Sequence, residues 1–414
     1  MVPDGWKHAT FNKHIDFLTG FAFKSNQYSI NPSDIKLLRG DNIEPGSLRW
    51  RDAKFWPVDE YVNLKNYHLE LGDFVIAMDR TWISSGLKVA EVKASDLPCL
   101  LVQRVARIRA KSSLEQSLLK QYFSTHTFEQ YVKSVQTATA VPHISPNDIR
   151  NFPFLLPPLP EQKKIAEILS LWDKAITTTE QLLANSQQQK KALMQKLLTG
   201  KKRILDENRV RFSGGWKKVK LGSIADMNSG GTPNSNVEEY YGGDIPWVSI
   251  ADMTKHGKLI SSTEKYLTPL GLENSSARIY PKNSVLYAMY ASIGECSIAQ
   301  VPLSSSQAIL GIRPKAVLDF EFLYFFLCSL KEKIKLQGQQ GTQSNLNAGM
   351  VKDFMLDLPS VAEQQKIASV LSTADLEITA LQQKVDALKQ EKKALMQQLL
   401  TGKRRVKIND KEVA

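Results

Sequence analysis

The sequence predicts an α+β protein: two similar mixed α/β domains, separated by two long helices that pack as an antiparallel coiled coil with pseudo-two-fold symmetry. The main observation is a 43-residue segment that occurs twice, beginning "EQKKIAEILS" at Glu161 and "EQQKIASVLS" at Glu363. About 24 of its positions are identical at a constant offset of 202 residues, without a gap. That identity exceeds chance and indicates an internal repeat. A globular-type segment precedes each copy, and these two segments resemble each other weakly.

Each copy of the repeat is predicted to form one long helix. Neither has Gly or Pro in its interior, and both are rich in Ala, Leu, Lys, Gln and Glu, which favour helix. Ser360 with Glu363 predicts a capping box, and Pro160 suits a first helical turn. Gly200 and Gly402 stand where helices commonly end. Helices of this length, about 39 residues, span roughly 58 Å at 1.5 Å per residue.

The apolar residues of both copies alternate at spacings of four and three, which is the pattern of a heptad seam. A helix this long needs a partner along its length, and the other copy is the expected one; the alternative is that each helix packs on its own domain. Two equivalent halves pack best about a two-fold axis, which makes the helices antiparallel. The predicted seam residues are Ile165, Leu169, Ile176, Leu193, Leu197, Ile367, Leu371, Ile378, Leu395 and Leu399.

The predicted domain boundaries follow the repeat: a first globular domain at 1–155, a long helix at 156–204, a second globular domain at 205–355, a long helix at 356–406 and a tail at 407–414. In the globular domains, "GDFVIAMDRTWISSG" at Gly72 parallels "NSVLYAMYASIGE" at Asn283. The apolar runs Phe74–Met78 and Ser284–Met289 predict strands. The two halves therefore share a scaffold and differ in their loops, which suggests a common frame with different specificities.

Composition favours a reduced, cytoplasmic protein with an acidic partner. The formal net charge is +12 and the pI about 9.3, so nucleic acid is one natural partner and an ordinary basic protein is the other interpretation. No apolar run is long enough for a membrane span, and the N-terminal residues lack a signal-peptide pattern. Cys99, Cys296 and Cys328 are scattered, which favours free thiols over a disulfide framework or a zinc site.

Motifs of independent catalysis are missing from the sequence. It has no phosphate-binding GxxxxGK[ST] loop, no dinucleotide GxGxxG before a helix and no HExxH. The six histidines are dispersed, without metal-ligand spacing. Nothing in the sequence supports an enzyme that acts alone or a metal site.

The segments "LPPLPEQKKIAEIL" and "KKALMQKLLTG", with their second copies "LPSVAEQQKIASVL" and "KKALMQQLLTG", resemble the specificity subunit of type I restriction-modification systems. The resemblance implies a non-catalytic subunit whose globular domains are target-recognition domains, each reading one half of a split, asymmetric DNA sequence. The helices would fix the unread gap and dock two modification (methyltransferase) subunits that methylate adenine, and restriction (motor-nuclease) subunits would join them.

The resemblance also implies that this chain binds no cofactor. S-adenosylmethionine, ATP and Mg are expected on the partner subunits. Independently of the family, two equivalent reading sites on one face of a duplex should lie about one helical turn apart, roughly 34 Å or 10 bp.

Candidate DNA contacts are polar residues in corresponding loops of the two halves. Arg reads guanine, and Asn or Gln reads adenine, while Lys, Arg and hydroxyl groups hold phosphates. In the first domain the candidates are Arg39, Asp41, Asn42, Arg80, Thr81, Trp82, Ser84, Lys88, Gln103, Arg104, Gln136, Thr137, Thr139 and His143. In the second they are Ser249, Asp252, Tyr290, Ser292, Ser305, Gln307, Gln340, Thr342, Gln343 and Asn345.

The long helices offer four further lysines, which are Lys190, Lys191, Lys392 and Lys393. They could contact phosphates across the unread gap, lie on a solvated helix face or dock an acidic partner. Two other functions stay open at the level of sequence. One is a scaffold whose coiled coil bridges two partners without DNA, and the other is a regulatory DNA-binding protein that acts alone.

Overall fold

The computed structural model describes residues 2–290, 292–339 and 346–408. The chain forms two compact units, of which the first combines two segments distant in sequence and the second is one continuous segment. Unit 1 comprises Met1–Thr179 and Lys384–Ala414, and unit 2 comprises Glu180–Gln383. The predicted domain boundaries keep each long helix whole, whereas the compact units divide each helix near its middle.

Unit 1 begins with a mixed globule. Its strands are β1 (Lys7–Thr10), β2 (Ile15–Thr19), β3 (Ile35–Leu38), β4 (Ile43–Glu44), β5 (Ser47–Leu48), β6 (Lys54–Trp56), β7 (Phe74–Ala77), β8 (Trp82–Ile83), β9 (Gly86–Leu87), β10 (Val89–Glu91), β11 (Cys99–Leu101), β12 (Val105–Ala110) and β13 (Pro153–Leu156). Its helices are α1 (Phe11–His14), α2 (Gln116–Phe123), α3 (His126–Val135), α4 (Pro146–Arg150) and the long α5 (Leu159–Leu197), whose second half belongs to unit 2.

Unit 2 repeats this plan. Its strands are β14 (Lys217–Lys220), β15 (Ala225–Ser229), β16 (Tyr241–Val248), β17 (Leu259–Ile260), β18 (Lys265–Leu267), β19 (Val285–Ala288), β20 (Cys296–Ala299), β21 (Ser304–Ser305), β22 (Ile309–Pro314) and β23 (Met355–Leu358). Its helices are α6 (Leu221–Ile224), α7 (Ile250–His256), α8 (Pro269–Glu273), α9 (Phe320–Gln339), α10 (Ala348–Lys352) and the long α11 (Val361–Leu400), whose second half belongs to unit 1.

The sheets of the two globules share a common strand order. Within the described residues, unit 1 has an antiparallel sheet in the order β10-β7-β12-β2, and unit 2 has the corresponding antiparallel order β20-β19-β22-β15. Unit 2 adds β17, which pairs parallel with β20. A second sheet, β11-β3-β6 in unit 1 and β21-β16-β18 in unit 2, combines one parallel and one antiparallel pairing. The predicted strands at Phe74 and Ser284 are β7 and β19, which occupy equivalent places. The prediction of a shared mixed scaffold is confirmed.

Each globule packs its core against the two long helices. In unit 1 the core that contains Phe11 and Phe128 includes Ile165 of α5 and Leu399 of α11. In unit 2 the core around Phe322 includes residues of the same helices, at Leu197 and Leu371. Burial of each such side chain stabilises the fold by roughly 1.5–3 kcal/mol. The helix ends are therefore parts of the globular cores.

The heptad seam is confirmed by the burial pattern of both helices. The predicted seam residues are all buried or half-buried, whereas most residues between them are exposed. Ile165, Leu169, Ile367 and Leu371 are at most 1% exposed. The helices also have the predicted length, with 39 and 40 residues.

Lys190 and Lys392 occupy positions of the heptad seam that are otherwise apolar, and each forms an ion pair with the opposite helix. In unit 1, Lys392 of α11 lies 2.7 Å from Asp173 of α5. In unit 2, Lys190 of α5 pairs with Asp375 of α11. The two pairs are the same contact at an offset of 202. With the Glu161–Arg405 contact of unit 1 and the Glu363–Arg203 contact of unit 2, they show that the helix segments within each unit run antiparallel. The ammonium groups of both lysines are thus engaged within the coil, while Lys191 and Lys393 are exposed.

The dipeptide "EQ" at the start of each helix anchors it to its globule. In unit 1, Glu161 accepts hydrogen bonds from Trp6 (3.3 Å) and Arg405 (2.9 Å). Gln162 accepts from the backbone N–H of Glu115 (2.8 Å) and donates to the carbonyl of Ser113 (3.2 Å). Both residues are at most 3% exposed.

Unit 2 contains the same anchor. Glu363 accepts from two guanidinium nitrogens of Arg203, Nε (2.6 Å) and Nη2 (2.7 Å), and from Trp216 (3.1 Å). Gln364 accepts from the backbone N–H of Asp319 (2.8 Å) and donates to the carbonyl of Val317 (3.0 Å). The Ser360 half of the predicted capping box is present, since its hydroxyl accepts from the N–H of Glu363 at 3.3 Å. The carboxylate of Glu363 has the anchoring role, which the capping pattern does not indicate.

Three further properties bear on function. Cys99, Cys296 and Cys328 are free thiols. In the part of the chain that the structure describes, no group of His, Cys, Asp and Glu side chains is arranged to hold a metal ion. Across the same residues, no helix combines the length and the apolar character that a membrane crossing needs.

Candidate nucleic-acid interface

A basic cavity in unit 1 gathers five of the predicted DNA contacts from three separate segments of sequence. Its volume is about 540 Å³. Five of its lining residues are cationic and three are carboxylates. The lining comprises Arg39, Asp41, Asn42, Ile43, Glu44, Arg49, Asp52, Lys54, Arg80, Ile83 and Lys88. The predicted residues among them come from the ends of strands: Arg39 follows β3, Arg80 follows β7 and Lys88 lies between β9 and β10.

Two cavity arginines are oriented by carboxylates. Arg39 lies 2.9 Å from Asp41, and Arg49 lies 3.3 Å from Glu44. Such exposed pairs add little stability, but they fix the direction of guanidinium groups that retain other donors. The cavity wall therefore presents oriented arginines, which suits bidentate contacts to bases or phosphates.

Lys88 is the most buried of the cations that line the cavity, and its burial disfavours the charged form of its amine. Lys88 is 8% exposed, and this burial lowers the pKa of its ammonium group from the ordinary value. Asp41 opposes the shift, and Arg80 adds to it. A lysine in such a place is a candidate for contact with an anion.

Arg80 and Arg104 hold unusual backbone conformations beside the cavity. Their φ angles are 48° and 66°, in the left-handed region that non-glycine residues adopt at a cost of about 1 kcal/mol or more. The N–H of Arg80 donates to the carbonyl of Pro142 at 2.7 Å. Asp79 lies between Arg104 (3.8 Å) and His143 (2.6 Å). The hydrogen bond to Pro142 holds the backbone of Arg80, and the backbone of Arg104 is held by its carbonyl, which accepts from the N–H of Met78 at 2.9 Å.

Two threonines join this cluster through His143. The backbone N–H of His143 donates to Thr137 Oγ1 at 3.0 Å, and Thr137 Oγ1 lies 3.1 Å from Thr139 Oγ1. Both threonines are exposed. The structure thus brings His143, Thr137 and Thr139 together with Arg104, as a polar surface next to the cavity.

Asn42 and Thr81 have roles inside the fold. Asn42 is 4% exposed; its side chain accepts from the N–H of Arg39 (3.0 Å) and donates to the carbonyl of Arg49 (3.0 Å). Thr81 is 1% exposed and donates to the carbonyl of Ala77 at 2.7 Å. Their side chains shape the loops that carry the arginines.

The remaining predicted residues of unit 1 differ in exposure. Trp82 is half-buried and donates to Glu129 at 3.2 Å, while the ammonium of Lys133 lies 3.9 Å from the centre of its ring. Ser84 and Gln103 are exposed, and Gln136 is half-buried at the end of α3.

In unit 2, two of the predicted residues build a helix start. Ser249 caps α7, and its N–H and hydroxyl donate to Asp252 at 2.9 and 2.6 Å. Asp252 also accepts from the N–H of Glu264 at 2.9 Å. Burial raises the pKa of the Asp252 carboxyl, but these hydrogen bonds outweigh it and the pKa lies below the usual value. Asp252 is 3% exposed and holds the loop internally.

Ser305 is also buried, whereas Gln307 reaches solvent. Ser305 lies in β21 at 0% exposure, and its carbonyl accepts from the N–H of Gly231 at 2.9 Å. A Cβ on Gly230 would fall 2.2 Å from that carbonyl oxygen, so this glycine permits close backbone packing. Exposed Gln307 contacts the hydroxyl of Thr232.

Tyr290 and Ser292 lie in the turn after β19. Tyr290 is 38% exposed, and Ser292 is half-buried. The other four predicted residues of this half, Gln340, Thr342, Gln343 and Asn345, lie outside the described residues.

Several residues of the interface were missed by sequence reasoning. Arg49 and Lys54 line the cavity because the β4–β5 hairpin and β6 fold beside β3. Asp79 joins Arg104 to His143, which is 64 residues away from it. Thr232 contacts Gln307 from a distant loop. Only the Gly-rich "GGTP" could have marked the last of these as a close backbone approach.

The family model described as "Type I restriction modification DNA specificity domain" matches residues 59–185 and 213–390. The specificity subunit of the type I restriction enzyme MjaIX of Methanocaldococcus jannaschii is 34% identical over 163 residues, which are 39% of this chain and 38% of that relative. The EcoAI specificity subunit of Escherichia coli is 35% identical over 182 residues, 44% of this chain and 30% of the relative. The matched segments thus span less than two thirds of either relative's length.

Solved structures extend the likeness of fold over nearly the whole chain. The S subunit of a type I restriction-modification system from M. genitalium has a TM-score of 0.58 at 13% identity, covering 95% of this chain and 96% of that one. A chain from a structural study of complex assembly and conformational transition in the type I R-M system has a TM-score of 0.60 at 19% identity, covering 98% and 100%. Because the family model matches well over half of the sequence, in both of its halves, this chain belongs to the family of type I restriction-modification DNA specificity domains.

Proposed function

We propose that this chain is the non-catalytic DNA-specificity subunit of a type I restriction-modification complex. Each globule reads one half of a bipartite, asymmetric DNA target. The paired helices set the length of the unread spacer and dock two modification subunits. Restriction subunits complete the assembly, and S-adenosylmethionine, ATP and Mg belong to the partner subunits.

The observation that carries the proposal is the duplicated helix pair with its repeated anchors. The ion pairs of Lys190 and Lys392, and the anchors at Glu161 and Glu363, recur at one offset. The loops that the globules carry do not recur: Arg80 and Lys88 line a cavity in unit 1, whereas Gln307 lies on an exposed loop of unit 2. Equivalent long helices that support globules with different loops suit a protein that reads two different half-sites.

The proposed contacts are accessible polar side chains. In unit 1 these are Arg39, Arg80, Ser84, Gln103 and Arg104, with Asp41 as an acceptor for base amino groups. In unit 2, Tyr290 and Gln307 are the accessible candidates. The buried Asn42, Thr81, Asp252 and Ser305 support loops in this proposal and do not touch DNA.

Methylome sequencing tests the function directly. Cells that express this chain with its modification subunits should carry a split motif with adenine methylation, and cells lacking this chain should not. Arg104→Ala should relax the half of the motif read by unit 1 and leave the other half intact. Gln307→Ala should do the reverse. Loss of one base contact costs about 1–3 kcal/mol, enough to make relaxed sites visible.

An unmodified genome under co-expression would contradict the proposal, as would relaxation of both halves by either substitution. The two other functions make different predictions. A scaffold would bind DNA weakly and without the steep salt dependence that phosphate contacts produce. A lone regulator would bind its target tightly without any methyltransferase.

A further inference from the structure

Lys88 is a nearly buried residue whose ammonium group forms no direct ion pair with any described residue. Its side chain lines the 540 Å³ cavity of unit 1, yet the residue is only 8% exposed. No ion pair or hydrogen bond of its ammonium group occurs among the described residues. Buried charges are ordinarily paired, since removal from water is costly. A lysine that departs from this rule and borders an open cavity indicates that an anion completes the site.

Asp41 and Asp79 raise the pKa of the Lys88 ammonium group and so offset part of its burial, but both carboxylates form their ion pairs with other groups. Asp79 pairs with Arg104 and His143. Asp41 pairs with Arg39, and Glu44 pairs with Arg49. Asp41 is also 77% exposed in its side chain and directed towards solvent. After these pairs are matched, the cavity keeps an excess of positive charge that includes Arg80 and Lys88.

Resting on the proposed DNA-reading function, we infer that this cavity receives a backbone phosphate of the target duplex, with Lys88 as the donor at its floor. An ammonium group is a compact point charge that suits a phosphate oxygen, whereas planar arginine forks suit base edges. The contact fixes the register of unit 1 on the duplex and carries no sequence information itself. Arg39 and Arg80 at the same cavity are then placed to contact groups adjoining that phosphate.

The test compares Lys88→Met with wild type, each as the full chain in complex with its modification subunits. Dissociation constants are measured between 50 and 200 mM salt, on the target duplex and on an unrelated duplex of equal length. We expect Lys88→Met to weaken both by a similar factor, about tenfold, and to reduce the salt slope by about one unit. Lys88→Arg, which keeps the charge, should retain the slope.

Lys111→Met is the matched control. Lys111 is exposed and follows the end of β12 opposite to Arg104, roughly 20 Å away at 3.3 Å per residue. This variant should keep the wild-type salt slope. Thermal melting checks the fold: Lys88→Met should melt no lower than wild type, because it removes a buried charge that has no partner to lose.

Three results would overturn the inference. The first is an unchanged affinity and slope in Lys88→Met. The second is an unchanged slope with relaxed preference at one base pair, which would make Lys88 a base reader. The third is a large loss of thermal stability, which would give the ammonium a structural partner. If the wild-type complex itself failed to bind DNA, the proposed function would fail with it, and that outcome is distinct from the other three.

Discussion

At the scale of single residues, the two side chains of the repeated "EQ" dipeptide join the start of each long helix to its globule by hydrogen bonds. The carboxylate of Glu161 accepts hydrogen bonds from an indole and a guanidinium group. The amide of Gln162 accepts from one backbone N–H and donates to one backbone carbonyl of the globule. The hydrogen-bonding groups of these two side chains explain why both copies of the repeat have Glu followed by Gln. Glutamate supplies two acceptor oxygens, and glutamine supplies one donor group and one acceptor at nearly the same reach.

Replacing Glu161 by Ala should destabilise unit 1. The substitution leaves Trp6 and Arg405 without their acceptor. Because Arg405 is 43% exposed in its side chain and water partly replaces the lost contact, we expect a loss of about 2 kcal/mol in the free energy of unfolding. Urea denaturation measures it.

Glu167→Ala is the control on the same helix. Glu167 is 61% exposed in its side chain and pairs with Lys164 at the surface, so its loss should change the free energy of unfolding by less than about 0.5 kcal/mol. Equal effects of the two substitutions would refute the anchoring role of Glu161.

At the scale of elements, the lysines in the seam distinguish this helix pair from a purely apolar coiled coil. Lys392 is 12% exposed in its side chain and Asp173 35%; Lys190 and Asp375 are similarly sheltered. Polar groups at seam positions specify register, because any slip leaves a charge without its partner. The pairs thus define one antiparallel alignment among several that the apolar residues alone would allow.

Charge reversal at Lys190 should test this alignment. Lys190→Asp places two carboxylates together and should lower the melting temperature of unit 2 by several degrees. Adding Asp375→Lys should recover most of the loss, because the ion pair is restored with opposite polarity. If the double variant melted no higher than the single one, the pair would not determine the alignment. Lys191→Asp, at an exposed neighbour, is the control and should have little effect.

At the scale of the whole molecule, the proposed function makes helix length a determinant of the DNA target. A heptad adds about 10.5 Å of helix, which corresponds to about three base pairs at 3.4 Å each. Seven residues keep the phase of the seam, so the ion pairs and anchors at both ends should persist.

Insertion of one heptad between Gln181 and Leu182, with a second between Gln383 and Lys384, should therefore lengthen the preferred spacer. Methylome sequencing would reveal the new motif, with both half-sites unchanged. Insertion in a single helix is the control, and it should abolish modification because helices that differ by seven residues cannot form the ion pairs and the anchors of both units at once. A spacer unaltered by the double insertion would exclude the helices as its determinant.

The sequence alone predicted the long helices and the shared scaffold well, and it predicted part of the lining of the unit 1 cavity; the DNA contacts stay a prediction. The heptad spacing predicted the seam, since the positions of Ile165 and Leu371 follow from helix geometry. The partners of Lys190 and Lys392 could not be found in this way, because they depend on which residues of the opposite helix align with them. Likewise, polarity selected both Lys88 and Thr81, but only the fold shows that one borders a cavity and the other is hydrogen-bonded inside a loop.

The hydrogen bonds of Gln162 and Gln364 bear on which residues of the globules can vary in sequence. Their globule partners are main-chain groups, the N–H of Glu115 and the carbonyl of Ser113 in one unit and those of Asp319 and Val317 in the other. Nearly every amino acid has the same backbone N–H and carbonyl, so substitution of these partner residues should preserve the hydrogen bonds of Gln162 and Gln364. If the proposed function holds, a globule of different sequence could replace the present one on the same long helices and change one half of the DNA target.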